Sequence, residues 1–434
     1  MTSTTSSIGR SPSTSRSSSV PRWAASPVAT PSEDGFDSPP RCLWLTLADP
    51  EPRHNGQFVY SGGLIDAMRW AGSDVEVLGL RRAESHRANG WRDEHVVWWL
   101  PDDTPHSHWG SLASSLPHTA YRCRTTGMRR TLDKLLEHGE WDGIVFDGIS
   151  VGWALARVLE HYAGRPDRPR LIYVSHNHEE SLRAQIAESQ PLFLKRQAVR
   201  LDAMKVSWLE RDMVDSVDFV TAITPEDLSL YRRRRCDKPM GVLTPGYCGR
   251  RVEHRRLTES LPRRAVIVGS FDWIAKRMNL AEFVDIADPL FAEANAELQA
   301  VGSADEAFLA QLRLKAQATE FTGTVPEIEP FLDEARIAIV PERNGGGFKL
   351  KVLEYIFNRV PVFALEGSFA GVPLRHNDSV MLFPNHAALA EGVLKAIDDV
   401  ELLNRLQERA FDACRDQFDW SSRGRQILSA IVEP

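Results

Sequence analysis

The chain has 434 residues, enough for two α/β domains with full cores, and a net charge of −7, which argues against nucleic acid as a bulk partner. Its longest apolar runs fall short of the roughly 20 residues that a membrane span needs, and no apolar signal segment follows Met1. Five cysteines (Cys42, Cys123, Cys236, Cys248, Cys414) are odd in number, scattered and never spaced C-x-x-C, so neither a disulfide framework nor a zinc site is indicated and a reducing cytoplasm fits.

Residues 1–40 are dominated by Ser, Thr and Pro and read as a disordered leader. Arg10, Arg16 and Arg22, with no acidic residue before Glu33, also fit an organelle targeting segment, although a dispensable tail or a misassigned start is the preferred reading. From Arg41 the text changes. Cys42–Ala48 reads as a buried strand, followed by a glycine-bearing loop over 56–63 and a helix from Leu64 to Ala71. Further strands are predicted at Val75–Leu80, Gly143–Asp147, Arg170–Ser175, Asp218–Ile223 and Gly241–Pro245, with helical stretches between them. A second alternation begins at Ala265–Gly269 and continues through Glu297–Gly302, Thr319–Gly323, Ile337–Val340 and strands at Pro361 and Met381. Strands alternating with helices predict α/β architecture with two Rossmann-like, doubly wound domains facing a cleft. The boundaries fall at 41–247 for the first domain, 248–262 for a linker, 263–410 for the second, and 411–434 for C-terminal helices expected to pack back on the first.

The densest chemical signal is Val340-Pro341-Glu342-Arg343-Asn344-Gly345-Gly346-Gly347-Phe348-Lys349-Leu350-Lys351-Val352-Leu353-Glu354. Three glycines where a loop meets a helix N-terminus let backbone N–H groups approach an anion, and the helix dipole favours it. Lys349 and Lys351 add positive charge, and Glu354 is placed to accept hydrogen bonds from ribose hydroxyls. The spacing is neither that of a P-loop nor of a dinucleotide fingerprint. The plainer alternative is a tight turn with a solvated lysine pair.

With these elements in place, the chain resembles the GT-B glycosyltransferases of family 4. The resemblance rests on Val268-Gly269-Ser270-Phe271-Asp272-Trp273-x-x-Lys276, then Phe321-Thr322-Gly323-Thr324-Val325, then Gly346 to Glu354, together with His176-Asn177-His178-Glu179 and Arg183 in the first half. It covers nearly everything after Arg41. It implies a donor site for a nucleotide diphosphate sugar (UDP-, GDP- or dTDP-linked) made by Gly62, Gly63, Ser270, Thr324, Val325, Arg343, Gly346, Gly347, Phe348, Lys351 and Glu354. His176, Lys276 and Lys349 would be catalytic, and Tyr60, Asp147, Glu179 and Arg183 would lie on the acceptor side. Such an enzyme retains anomeric configuration, and no strand ending in Asp-x-Asp suggests a metal with the diphosphate, so metal-independent transfer to a hydroxyl acceptor (polysaccharide, glycolipid or metabolite) is expected.

Two departures matter. No cation stands one turn before Lys276, and the family's first glutamate falls where this chain has Gly346. Two other readings therefore stay open: a non-catalytic nucleotide-sugar-binding protein, motivated by Gly346, and a sugar-nucleotide epimerase of the same fold. Arg232 to Arg235 on a surface helix keep a peripheral contact at the inner membrane face open, with a solvated basic face as the alternative. No permanently bound cofactor or metal is expected, and the sequence leaves the oligomeric state open.

Overall fold

A computed structural model describes residues 38–433 apart from 54, 94, 108–109, 189–192, 273 and 343–347. The expected leader lies almost wholly outside the described residues, as do Arg343, Gly346 and Gly347 of the expected donor site.

The first half builds a sheet of eight strands: β1 (Arg41–Ala48), β2 (Asp74–Leu80), β3 (Trp91–Asp93), β4 (Val96–Trp99), β5 (Gly143–Asp147), β6 (Arg170–Val174), β7 (Phe219–Ala222) and β8 (Met240–Val242). Their spatial order is β3-β4-β2-β1-β5-β6-β7-β8. Every pair is parallel except β3 with β4. The helices are α1 (Gly56–Trp70), α2 (Gly110–Ala113), α3 (His118–Cys123), α4 (Thr126–His138), α5 (Leu155–His161), α6 (Glu179–Glu188), α7 (Phe193–Ser216) and α8 (Pro225–Arg234). Apolar residues on both faces of the strands explain why helices cover both sides. Leu43, Leu45, Ile144 and Phe146 pack one way, against α4, α5 and α7. Cys42, Trp44, Val145 and Ile172 pack the other way.

The second half builds six parallel strands: β9 (Arg264–Val268), β10 (Glu297–Val301), β11 (Thr319–Gly323), β12 (Ile337–Val340), β13 (Val362–Leu365) and β14 (Met381–Phe383), in the order β11-β10-β9-β12-β13-β14. Its helices are α9 (Ile274–Glu293), α10 (Glu306–Arg313), α11 (Glu329–Glu334), α12 (Leu350–Phe357), α13 (His386–Ala396) and α14 (Val400–Cys414). A last helix, α15 (Trp420–Val432), leaves this domain and joins the first. Trp420, Ile427 and Ile431 lie in the same core cluster as Trp44 and Leu64.

Three expectations need correction. The 56–63 segment is the start of α1, not a loop: the Asn55 side chain accepts the Phe58 N–H and caps the helix. Gly62 and Gly63 sit inside that helix and are buried, so their N–H groups belong to its ladder and do not serve a diphosphate. Gly63 instead makes room, since a Cβ there would lie 2.3 Å from the Trp420 ring. The short β3 and β4 were not foreseen, and β8 ends at Val242, before Leu243–Pro245.

A Cβ on Gly424 of α15 would lie 1.9 Å from the Ala67 carbonyl oxygen of α1. Helix propensity alone makes Gly→Ala favourable by about 1 kcal/mol. We expect the opposite for Gly424→Ala, a loss of about 1–3 kcal/mol from overpacking, read as a lower Tm in thermal unfolding.

Candidate functional site

A cavity of about 250 Å³ opens at the carboxyl ends of the first sheet, where open α/β sheets bind ligands. Tyr60, Ser150, His176, Glu179 and Arg183 line it from the first domain, and Phe348 and Leu350 from the second.

His176 stands two residues beyond β6. Its Nε2 lies 2.6 Å from the Asp147 carboxylate at the end of β5, a geometry in which Nε2–H donates and Nδ1 is the ring nitrogen left free. Asp147 is fully buried. It also accepts hydrogen bonds from Trp44 Nε1 at 3.1 Å and Thr46 Oγ1 at 2.9 Å. Burial alone would push this carboxyl up, but His176 and the hydrogen-bonding side chains outweigh it and hold the group below the ordinary carboxylate value. Asp147 therefore does not face an acceptor. It sits behind His176 and fixes the imidazole. Gly148 follows with φ +87°, a conformation that favours glycine and turns the chain away beneath the His176 ring. Tyr60 packs edge-on to that ring at 5.2 Å, with its hydroxyl donating to the Leu243 carbonyl at 2.6 Å. Its ring lines the cavity while its hydroxyl is already engaged.

Glu179 and Arg183, paired at 3.2 Å, present the first turns of α6 to the cavity. What holds α6 was not legible in the sequence: the buried Glu210 of α7 accepts the Glu179 and Glu180 N–H groups at 3.0 and 2.8 Å, and the Tyr231 hydroxyl at 2.6 Å. Among the described residues His178, Glu180 and Glu210 have ligand-type atoms within 4.8 Å of one another, the spacing of a small cation site. Those carboxylates are already engaged, Glu210 by the helix terminus and Glu180 by Arg211.

Around the start of α12, beside the Phe348 and Leu350 that line the cavity, lies a charged cluster. Lys349 is the N-cap residue of α12, Lys351 lies in its first turn, and Lys276 lies in the first turn of α9. Burial drives Lys349 down to about 8, with Lys351 and Lys276 pushing the same way and Glu342 opposing them. Lys276 is also lowered, by desolvation first and then by Lys351. Lys351 forms an ion pair with Glu342, to which the sequence pattern alone gives no role. A carboxylate two residues beyond a buried strand and ahead of two lysines is the signal available in the sequence.

The remaining expected residues are spread around this cluster. Ser270 follows β9 and donates to Asp272 at 2.7 Å, and Asp272 lies beside Lys276. Glu354, raised by burial, accepts the Tyr247 hydroxyl at 2.7 Å. Phe348 packs 5.6 Å from Phe418. Thr324 is exposed and Val325 half-buried just beyond β11. Of the surface arginines, Arg234 and Arg235 are paired with Asp215, and Arg235 also with Asp237. Among the described residues no helix is long and apolar enough to cross a membrane.

Known proteins share this fold. Residues 262–399 match the family described as "Glycosyl transferases group 1". Similar solved structures include sucrose-phosphate synthase from Thermosynechococcus elongatus, with 16% identity, a TM-score of 0.64, and coverage of 90% of this chain and 98% of that one. HepE from Anabaena, solved in complex with UDP-glucose, shares 14% identity with a TM-score of 0.58, covering 91% of this chain and 100% of that one. WaaG, a glycosyltransferase involved in lipopolysaccharide biosynthesis, shares 16% identity with a TM-score of 0.58 and the same coverage. No curated protein sequence matches. The chain has the GT-B fold and resembles the group 1 glycosyltransferases, and glycosyl transfer is the chemistry that these findings support.

Burial pushes Glu210 from its ordinary 4.5 up to about 7. The native state therefore keeps a proton that the unfolded chain has lost, and stability falls as pH rises through that window, by on the order of 3 kcal/mol. We expect the Tm of the wild type to fall relative to Glu210→Gln between pH 4.5 and 7. Parallel curves would contradict this.

Proposed function

We propose that the protein is a retaining glycosyltransferase that moves a sugar from a nucleoside diphosphate sugar to a hydroxyl acceptor without a divalent metal. The observation that carries the reading is a rigidly held histidine, His176 on Asp147, in a cavity whose other wall, Phe348 and Leu350, belongs to the start of α12, where Lys349 and Lys351 stand with Lys276 of α9 near them. The diphosphate would lie at the start of α12, where Lys276, Lys349 and the first-turn N–H groups oppose the negative charge that builds as the glycosidic bond breaks. Glu354 would hold the ribose, with Ser270, Thr324, Val325 and Phe348 around the nucleotide.

His176 would act on the donor sugar. With Nε2–H committed to Asp147, Nδ1 accepts a sugar hydroxyl, and the imidazole and its buried carboxylate favour the positive charge of an oxocarbenium-like state. In a front-face reaction the acceptor oxygen forms the new bond on the side the diphosphate leaves, and a departing phosphate oxygen takes the acceptor proton. The acceptor hydroxyl would enter beside Glu179 and Arg183. UDP-glucose is the first donor to try, because HepE has the same fold and was solved with it. A cytoplasmic protein touching the inner membrane face would do so through Arg232 and Arg233, since Arg234 and Arg235 are engaged.

The test is incubation with UDP-, GDP- and dTDP-sugars and a panel of hydroxyl acceptors, with the anomeric configuration of the product read by NMR, with and without EDTA. Retained configuration and unchanged turnover in EDTA are expected. Tight nucleotide binding with no transfer would favour a binding protein, and donor conversion without acceptor an epimerase. We expect His176→Ala to lower kcat by roughly 10²–10³-fold. Glu354→Ala should act mainly through a higher donor KM.

A further inference from the structure

Glu342 is an unexpected neighbour for a diphosphate site, because a carboxylate repels phosphate. It lies just beyond β12 at the carboxyl edge of the second sheet and is only 7% exposed. One oxygen, Oε1, takes the Lys351 ammonium, whereas Oε2 is buried without a hydrogen-bond partner among the described residues. Lys349 of α12 also faces this carboxylate, and Lys276 of α9, with Asp272 behind it, completes the group of charges. Without Glu342, the repulsion among the three ammonium groups would be offset only by Asp272, which acts on Lys276, and Lys349 and Lys351 would lose their neighbouring carboxylate.

We propose that Glu342 is a positioning residue, the built-in counter-ion that holds Lys351 in place and keeps Lys276, Lys349 and Lys351 assembled as one charged cluster for the diphosphate of a nucleotide sugar. The proposal rests on the transferase reading above. Glu342 acts through the lysines and does not itself contact phosphate. Three ammonium groups and one carboxylate leave a net positive cluster able to receive a dianionic nucleoside diphosphate sugar.

The consequence is a pH dependence with a definite sign. Lys349 is the member nearest to losing its proton, at about 8, and it is lowered by burial, by Lys351 and by Lys276 while Glu342 supports its charge. Diphosphate affinity should therefore fall as pH rises through this region. Removing Glu342 moves that fall to lower pH. Removing Lys351, which takes away a like charge and frees Glu342, moves it to higher pH.

The experiment is titration calorimetry of the full chain with UDP, GDP, dTDP and ADP across the alkaline range, for wild type, Glu342→Gln, Glu342→Asp, Lys351→Met and Lys349→Met, with circular dichroism confirming that each variant is folded. For whichever nucleotide binds, we expect the midpoint of the loss to move acidic by roughly one pH unit in Glu342→Gln. It should stay near that of the wild type in Glu342→Asp, move alkaline in Lys351→Met and vanish in Lys349→Met. If Glu342→Gln does not fold, the double variant Glu342→Gln/Lys351→Met, which removes the ion pair as a unit, carries the test: its midpoint should lie acidic of that of Lys351→Met, and coincident midpoints overturn the role of Glu342. Unmoved midpoints in folded variants overturn the role of Glu342 and leave the transferase reading standing. A wild type that binds none of the four nucleotides overturns both.

Discussion

The geometry of the cleft depends on the return of the chain from the second domain to the first. After α14 has packed on the second sheet through Phe411 and Cys414, α15 returns to the first, where Trp420, Ile427 and Ile431 join its core. Trp420 fits against Gly63 of α1 and Gly246 after β8, where added Cβ atoms would lie 2.3 and 2.4 Å from its ring. Arg423 secures the same junction by donating to the Thr244 carbonyl at 2.8 Å and the Thr244 hydroxyl at 2.7 Å. These contacts are close-packed and directional, so they fix α15 on the first domain. Close approach between the domains adds to this: a Cβ on Gly371 would meet Phe348 of its own domain at 3.1 Å and Thr224 of the first at 3.3 Å.

On that frame the electrostatics are arranged in two buried carboxylates, one on each sheet. Asp147 ends β5 and fixes His176; Glu342 follows β12 and pairs with Lys351. Each carboxyl is held below its ordinary value despite burial, because cationic or hydrogen-bonding partners outweigh desolvation. Groups held in this way need little reorganisation when charge develops nearby, which is how a polar site lowers a barrier most effectively. Glu210 shows the opposite balance. Its partners satisfy its oxygens but do not outweigh its burial, and its carboxyl rises to about 7.

Much of the fold was legible because parallel strands buried on both faces spell continuous apolar runs, as at Cys42–Ala48 and Ile337–Val340. The start of α1 was misread because Gly56, Ser61, Gly62 and Gly63 have poor helix propensity, and tertiary packing overrode it. The exposed β3 carries no apolar alternation that would announce a strand. In the site, His176 and the lysines were readable as charge at strand ends and a helix start. Their partners were not. Asp147 is 29 positions from His176, Glu210 is 31 from Glu179, and Tyr247 is 107 from Glu354, so each pairing exists only through the topology. The Asp147 carboxylate looked available for an acceptor until Trp44, Thr46 and His176 were seen to enclose it.

The most direct measurement is a crystal structure of the protein soaked with UDP-glucose, or with whichever nucleotide sugar binds in solution. The account predicts the diphosphate at the N-terminus of α12 within reach of Lys276 and Lys349, the ribose at Glu354, and the sugar turned toward His176. A nucleotide bound elsewhere, with the cavity beside His176 empty and the lysine cluster untouched, would contradict it.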